Sequence, residues 1–257
     1  VYPQGIQAKE FILPKELLEQ DCVISLSKMK THALERITGA VKNSYGFIYG
    51  FHKAKGHTQY PSADSFARML IDLNKCVAPK LYVMDGIVAM EGNGPGSGDP
   101  VPMNVLLMST DPVALDSVFS RLVYLKPEMV PTNYHGEKMG LGTWKEEEIT
   151  LLIPDGEISM AEAVEKYGNP AFNVDRTEVR KNIWTRMAGA LKVFQKKPYI
   201  EADKCVRCGI CVQSCPVPGK AVDFRKGKGK PPVYDYRKCI RCFCCQEMCP
   251  KKAIKVK

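Results

Sequence analysis

Two near-copies of one cysteine pattern, CVRCGICVQSCP from Cys205 and CIRCFCCQEMCP from Cys239, constrain this chain more than any other feature. Both read C-x2-C-x2-C-x3-C-P: Cys205, Cys208, Cys211 and Cys215 before Pro216, then Cys239, Cys242, Cys245 and Cys249 before Pro250. Nine of the eleven cysteines lie between Cys205 and Cys249. Disulfide scaffolds spread their cysteines along short secreted chains, whereas tight C-x2-C clustering marks a metal centre in a reducing compartment. The expected compartment is therefore the cytoplasm. Structural zinc uses C-x2-C pairs separated by a longer stretch, not three cysteines in seven residues followed by Cys-Pro.

The stretch from Cys205 to Lys257 resembles a two-cluster bacterial-type ferredoxin, a small α+β fold. The resemblance implies two 4Fe-4S clusters. The first three cysteines of each motif hold one cube and the fourth reaches the other. Two residues between ligands let a loop close around a cube, and the proline turns the chain away after the fourth. The ligand sets are then Cys205, Cys208, Cys211 and Cys249 for one cluster, and Cys239, Cys242, Cys245 and Cys215 for the other. Cys244 is left over, read as a small buried residue or idle thiol. Between the motifs, PVPGKAVDFRKGKGKPPVYDYRK is basic. Its Lys226, Lys228 and Lys230 form either a solvated hairpin tip or a dock for an acidic redox partner.

The formal charge of +9 is unevenly placed, with seventeen Lys or Arg against five Asp or Glu from Lys192 onward. Thiolates and clusters offset part of that excess. No base-stacking aromatic motif accompanies it, so a nucleic-acid partner is not expected. No apolar run is long enough to span a bilayer, and residues 1–20 lack a secretory signal. The chain starts at Val1 with no strand before PKELLEQ, which leads to the expectation of an N-terminally truncated or processed chain.

From about residue 20 to 155, short apolar runs alternate with helical patterns. CVISLS, KLYVMD, NVLLMS and ITLLIP read as buried strands. Phe66, Leu70, Leu73 and Val77 recur at helical spacing after a Ser62 cap, Asp111-Pro112 opens a second helix, and Ser159 with Glu162 caps a third that stops at Gly168. Such alternation predicts an α/β domain with a mainly parallel sheet. The expected domains are residues 1–168, a basic helical linker at 169–197 with Val179, Ile183, Trp184, Met187 and Leu191 on one face, and the ferredoxin-like domain at 198–257.

Parallel sheets bind ligands at the carboxyl ends of their strands. The first such segment, KMKTHALERITGAVKNSYGFIYG, offers Lys28, Lys30, Thr31, His32, Lys42 and Asn43, suited to an anionic group. The second, GIVAMEGNGPGSGDP after Asp85, is glycine-rich but fits no dinucleotide or phosphate-loop motif. Its Asp85, Glu91 and Asp99 either hold a cation or belong to a flexible loop. His52 and His57 share a loop, but no third ligand follows at helical spacing.

Together with STDPVALD, these segments resemble the domain-of-unknown-function 362 family, often fused to a two-cluster ferredoxin. The resemblance places Lys28, Lys30, Thr31, His32, Lys42, Asn43, Asp85, Glu91, Asn93, Asp111 and Asp116 at family motif positions and implies no reaction. Family members usually carry a further segment before this point, in line with truncation. Two functions are expected from the whole sequence. In the first, a ferredoxin-coupled oxidoreductase passes electrons between the clusters and a site for a small anionic substrate or cofactor. Lys30, His32, Asp85 and Glu91 do the chemistry there, and Lys28, Thr31, Lys42, Asn43 and Asn93 bind. In the second, a non-catalytic carrier docks a redox partner protein through its α/β domain.

Overall fold

The computed structural model describes residues 1–49, 52–96, 98–178 and 197–256. The first strand follows directly from alternation along the chain. In β1 (Ile24–His32), which follows the short helix α1 (Lys15–Leu18), Ser25, Ser27 and Met29 point inward while Ile24, Leu26 and Lys28 point out. Arg36, at a positive φ of 65°, turns the chain back into β2 (Arg36–Thr38), antiparallel to β1. Three helices follow: α2 (Ala40–Asn43), α3 (His52–Gln59) and α4 (Ala63–Val77). They carry the chain across to β3 (Leu81–Glu91), which lies parallel to β1 from Ile24↔Leu81 to Lys28↔Asp85.

The expected mainly parallel sheet is not what forms. The order is β2-β1-β3-β4, with one parallel pair flanked by two antiparallel pairs, so the sheet is mixed. The cause is the glycine-rich stretch after Glu91. A parallel return needs a crossover of a dozen or more residues, and the chain instead re-enters the sheet at Asp99. It runs back as β4 (Asp99–Ser109), antiparallel to β3. Leu151 to Ile153 also falls outside this sheet, forming β5 (Leu151–Ile153) of a separate hairpin with β6 (Gly156–Ile158).

The helices match the local signals closely. Ser62 caps α4 with a capping box to Ser65, Asp111 caps α5 (Pro112–Leu122), and Ser159 with Glu162 caps α7 (Met160–Tyr167), which follows α6 (Pro131–Lys138). One core lies between the sheet and α5, around Met29, Met84, Val105 and Phe119; a second joins α4 to α2 through Phe66, Leu70, Ile71 and Val41. Residues 169–178 hold no helix. Their Phe172 is fully buried in the first core, worth about 2–3 kcal/mol, which ties this segment down. The helix expected over 179–191 lies outside the described residues.

The cysteine-rich part starts at β7 (Pro198–Ile200), continues through α8 (Ile210–Gln213), β8 (Val222–Asp223), β9 (Val233–Tyr234) and α9 (Cys244–Glu247), and closes when β10 (Ile254–Val256) pairs antiparallel with β7. The sheet of the first part leaves one face open: Ile24, Leu26, Leu106 and Met108 are each more than half exposed.

Candidate functional site

The two cysteine motifs fold alike, each with left-handed residues leading into a four-residue helix, and the residues between their ligands explain how. Arg207 and Gly209 in the first copy, and Arg241 and Phe243 in the second, take φ values of 57°, 78°, 61° and 61°. Each left-handed residue turns the loop sharply, so successive thiols face one cavity instead of opposite sides. One cavity is lined by Cys205, Cys208, Cys211 and Cys249. The other is lined by Cys215, Cys239, Cys242 and Cys245. In each, the fourth thiol comes from the other motif.

These cavities suit an anionic iron-sulfur group. The backbone N–H of Ala221 donates to Cys215 Sγ at 3.2 Å, that of Ala253 to Cys249 Sγ at 3.3 Å, and the Tyr234 hydroxyl to Cys245 Sγ at 3.1 Å. Donors aimed at sulfur stabilise thiolate rather than thiol. Among the described residues no three His, Cys, Asp or Glu side chains converge on a single ion. A cube, whose irons hold the thiolates apart, asks for a wider cage.

The short helix α9, which lies within the second motif, packs against the α/β part. Gln246 Nε2 donates to the carbonyls of Asn93 and Gly94 at 2.8 and 2.9 Å, Asn93 Nδ2 donates to Ile254 O at 3.1 Å, and Lys252 Nζ donates to Gly98 O at 3.3 Å. Glu247 Oε1 meets His32 Nε2 at 2.9 Å. The contact falls where β1 and β3, the one parallel pair, have their carboxyl ends.

Around this contact is a buried group of charges. His32 Nδ1 accepts the N–H groups of Leu34 and Glu35, both at 3.1 Å, so the proton sits on Nε2 and is donated to Glu247. Burial, reinforced by Lys42, pushes the His32 pKa down to about 4, which keeps the ring neutral. Burial also works against the Glu247 carboxylate, but Lys42 and His32 outweigh it and hold the group well below the usual range. Burial and Lys42 together lower Lys30. Glu35 is fully buried and raised well above a normal carboxyl by burial. Among the described residues neither Glu35 oxygen, nor Thr38 Oγ1, nor His57 Nδ1 has a hydrogen-bond partner.

Lys42 is placed in this group by its helix. Asp116, buried and pushed up to about 7 by that burial, accepts the N–H groups of Ala40 and Val41 at 2.6 and 3.0 Å and so pins the start of α2. The preceding residue has to be Gly39, because a Cβ there would lie 1.9 Å from Asp116 Oδ1. Beside the charged group a polar groove runs between Thr31, Arg36, Asn93 and Asn173.

The remaining sequence candidates have other partners. Lys28 and Asp85 pair with each other at 2.6 Å on the open sheet face, both partly exposed, apart from the buried group. Thr31 donates to Gly92 O, Asn43 Nδ2 to Leu26 O, and Glu91 accepts the N–H of Asn173. Asp111 caps α5 and also accepts the N–H of Thr143. His57 stacks on Phe66 at 4.4 Å while His52 is exposed, so the two do not form a metal pair. Sequence reasoning missed Glu247, Gln246, Glu35, Arg36 and Asn173. Glu247 and Gln246 occupy spacer positions of a cysteine motif, Glu35 and Arg36 lie at the turn into β2, and Asn173 lies in the segment after α7, with no local signal of their role.

Two thiol-lined cavities of this kind define an iron-sulfur protein. Comparison with known families agrees and adds the second part: residues 197–250 match the 4Fe-4S dicluster domain, and residues 1–121 match the Domain of unknown function (DUF362). The two matches lie in the order expected for a fusion of these two families. It is similar to a thylakoid-associated protein of Synechocystis sp. (strain ATCC 27184 / PCC 6803 / Kazusa), with 42% identity over 130 residues, which is 50% of this chain and 40% of that protein. The chain thus spans well under two thirds of that relative. No solved structure matches. Among the described residues no helix is long and apolar enough to cross a membrane.

Proposed function

We propose that this is an iron-sulfur redox protein in which two clusters serve an anion-binding site at the carboxyl ends of β1 and β3. Cys205, Cys208, Cys211 and Cys249 would hold one cluster, and Cys215, Cys239, Cys242 and Cys245 the other. Bound 4Fe-4S clusters supply one-electron chemistry at potentials tuned by hydrogen bonds and exposure. The observation that carries the reading is the 2.9 Å bond between His32 and Glu247, a residue flanked by Cys245 and Cys249. It puts the second cysteine loop directly on the charged group of the α/β domain.

Within that group, Lys42 and Lys30 would hold the anionic part of a substrate or cofactor, and His32 would present a neutral ring of fixed tautomer. The unpartnered atoms of Glu35, Thr38 and His57 support a ligand there, since buried polar groups are normally satisfied. Lys28, Asp85, Asn43 and Glu91 belong to the surroundings, because their side chains already have partners.

The test is a redox titration of anaerobically prepared protein, followed by electron paramagnetic resonance, with and without a panel of phosphates and carboxylates. A bound anion near the second cluster should lower its midpoint potential, because added negative charge disfavours the reduced state. Lys42→Met should abolish that shift while iron content stays the same. If no anion alters either potential or thermal stability, and Lys42→Met behaves as wild type, the substrate site does not exist. The open face at Ile24, Leu26, Leu106 and Met108 favours a second reading, in which the α/β domain docks a partner enzyme and binds no substrate. An empty ligand screen with a stable dehydrogenase complex would select it.

A further inference from the structure

The two thiol-lined cavities have different surroundings. Among the described residues, the one holding Cys215, Cys239, Cys242 and Cys245 is lined otherwise by apolar or aromatic residues such as Pro198, Val222, Tyr234 and Phe243, with no charged side chain. Its loop continues into α9, which is covered by the α/β domain. The other cavity, with Cys205, Cys208, Cys211 and Cys249, has Arg207 and Lys251 in its wall. Cys208, Val206, Arg207 and Lys251 are exposed.

The basic hairpin belongs to this second setting. Arg207 Nη1 donates to Gly229 O at 3.2 Å, which fastens the hairpin tip to the first cysteine loop. At the base of the hairpin, Phe224 lies beside Gly209, where a Cβ would be 3.4 Å from the ring. Lys226, Lys228 and Lys230 are therefore held next to the solvent-facing thiols. All three are exposed, and among the described residues none has an ion-pair partner, whereas Lys204 is paired with Glu201 and Arg225 with Asp235. A solvated tip would have no need to be tied to the cavity whose cysteines are the more exposed.

We infer that this face, formed by Lys226, Lys228, Lys230, Arg207 and Lys251 around Cys205 and Cys208, is the docking surface for an acidic protein that exchanges single electrons. The inference rests on the two-cluster reading above and gives it a direction in space, from a partner at the first cavity to the α/β site at the second. In each encounter the partner loses one electron and the dicluster module gains it, or the reverse, with no bond made or broken. Charge complementarity of this kind acts mainly on encounter and salt dependence. Like-charged lysines around a redox centre would repel a basic partner.

The test uses the full chain, loaded with clusters, and an acidic flavodoxin as probe, with binding measured by calorimetry at low and high ionic strength. Wild type should bind, and the affinity should fall steeply with salt. The triple variant K226E/K228E/K230E should bind about tenfold or more weakly at low salt and lose most of its salt dependence. Its visible spectrum and reduction by dithionite should stay as in wild type, which shows that the clusters are intact. Three charge reversals in the α/β domain, K9E/K15E/K80E, should have a much smaller effect. The inference is overturned if wild type does not bind the flavodoxin at low salt, or if both triple variants weaken binding equally. It is also overturned if the hairpin lysines support binding of a single-stranded oligonucleotide and not of the flavodoxin. An absent anion effect with this docking intact would sink only the α/β site, and normal anion effects without docking would sink only the surface.

Discussion

At the scale of single residues, the two buried histidines make stability depend on pH in a direction that can be worked out. His32 and His57 are each lowered from about 6.5 to about 4 by burial, with Lys42 adding to the effect on both and Glu247 opposing it. His32 also faces Lys30, and His57 faces His32. Between those two values the unfolded chain binds protons that the folded chain does not, so stability falls as pH drops from about 6.5 toward 4. Each ring contributes on the order of 3 kcal/mol across the full window. His57→Phe keeps an aromatic ring on Phe66 and removes the titration. Urea midpoints at about pH 7 and about pH 5 should therefore converge for the variant relative to wild type. An equal drop in both proteins would mean that His57 is protonated in the folded state.

At the scale of elements, the crossed cavities make a prediction that uncrossed ones would not. Cys215 stands in the first motif but lines the cavity of the second. Cys215→Ser and Cys239→Ser should therefore disturb the same cluster and give the same altered resonance spectrum, each leaving about half the iron firmly bound. Cys205→Ser and Cys249→Ser should form the other matching pair. A match between Cys215→Ser and Cys205→Ser would show that each motif serves its own cluster. The helices carry a prediction of a more ordinary kind. Asp111 accepts three backbone N–H groups, from Val113, Ala114 and Thr143. Asp111→Ala should cost about 1–2 kcal/mol in thermal or urea unfolding, and an unchanged stability would mean that water replaces the cap. Caps are local, which is why α4, α5 and α7 were legible from Ser62, Asp111 and Ser159 in the sequence. Strand direction is not local. KLYVMD and NVLLMS look alike whether they pair parallel or antiparallel, and the glycines between Glu91 and Asp99 mark a loop without saying that it is a hairpin. The cysteine spacing was legible for another reason: a cube fixes its ligand separations, so the sequence has little freedom there.

At the scale of the whole molecule, the site depends on a contact between residues some two hundred positions apart, which explains why only half of it could be read in advance. Lys30 and His32 end β1 and Lys42 lies in α2 just beyond it, and all three could be picked out by residue type. Glu247 could not, because its role exists only once the iron-sulfur part sits on the α/β part. Among the described residues that docking has few polar anchors: Gln246 on Asn93 and Gly94, Glu247 on His32, Asn93 on Ile254, and Lys252 on Gly98. Removing the first two should loosen it without touching a thiol. In the double variant Gln246→Ala with Glu247→Ala, the carbonyls of Asn93 and Gly94 and the Nε2–H of His32 lose their partners, at about 1–3 kcal/mol for each buried group left unpaired. Amide hydrogen exchange should then rise at residues 31–35 and 92–96, while α4 and α5 stay protected and iron content is unchanged. Such a protein would also separate the two proposals, because its anion-dependent shift in potential should shrink while flavodoxin docking at the far cavity persists. If exchange at 31–35 and 92–96 is as slow as in wild type, the two parts are held together by something other than α9. The coupling between cluster and α/β site would then need another route.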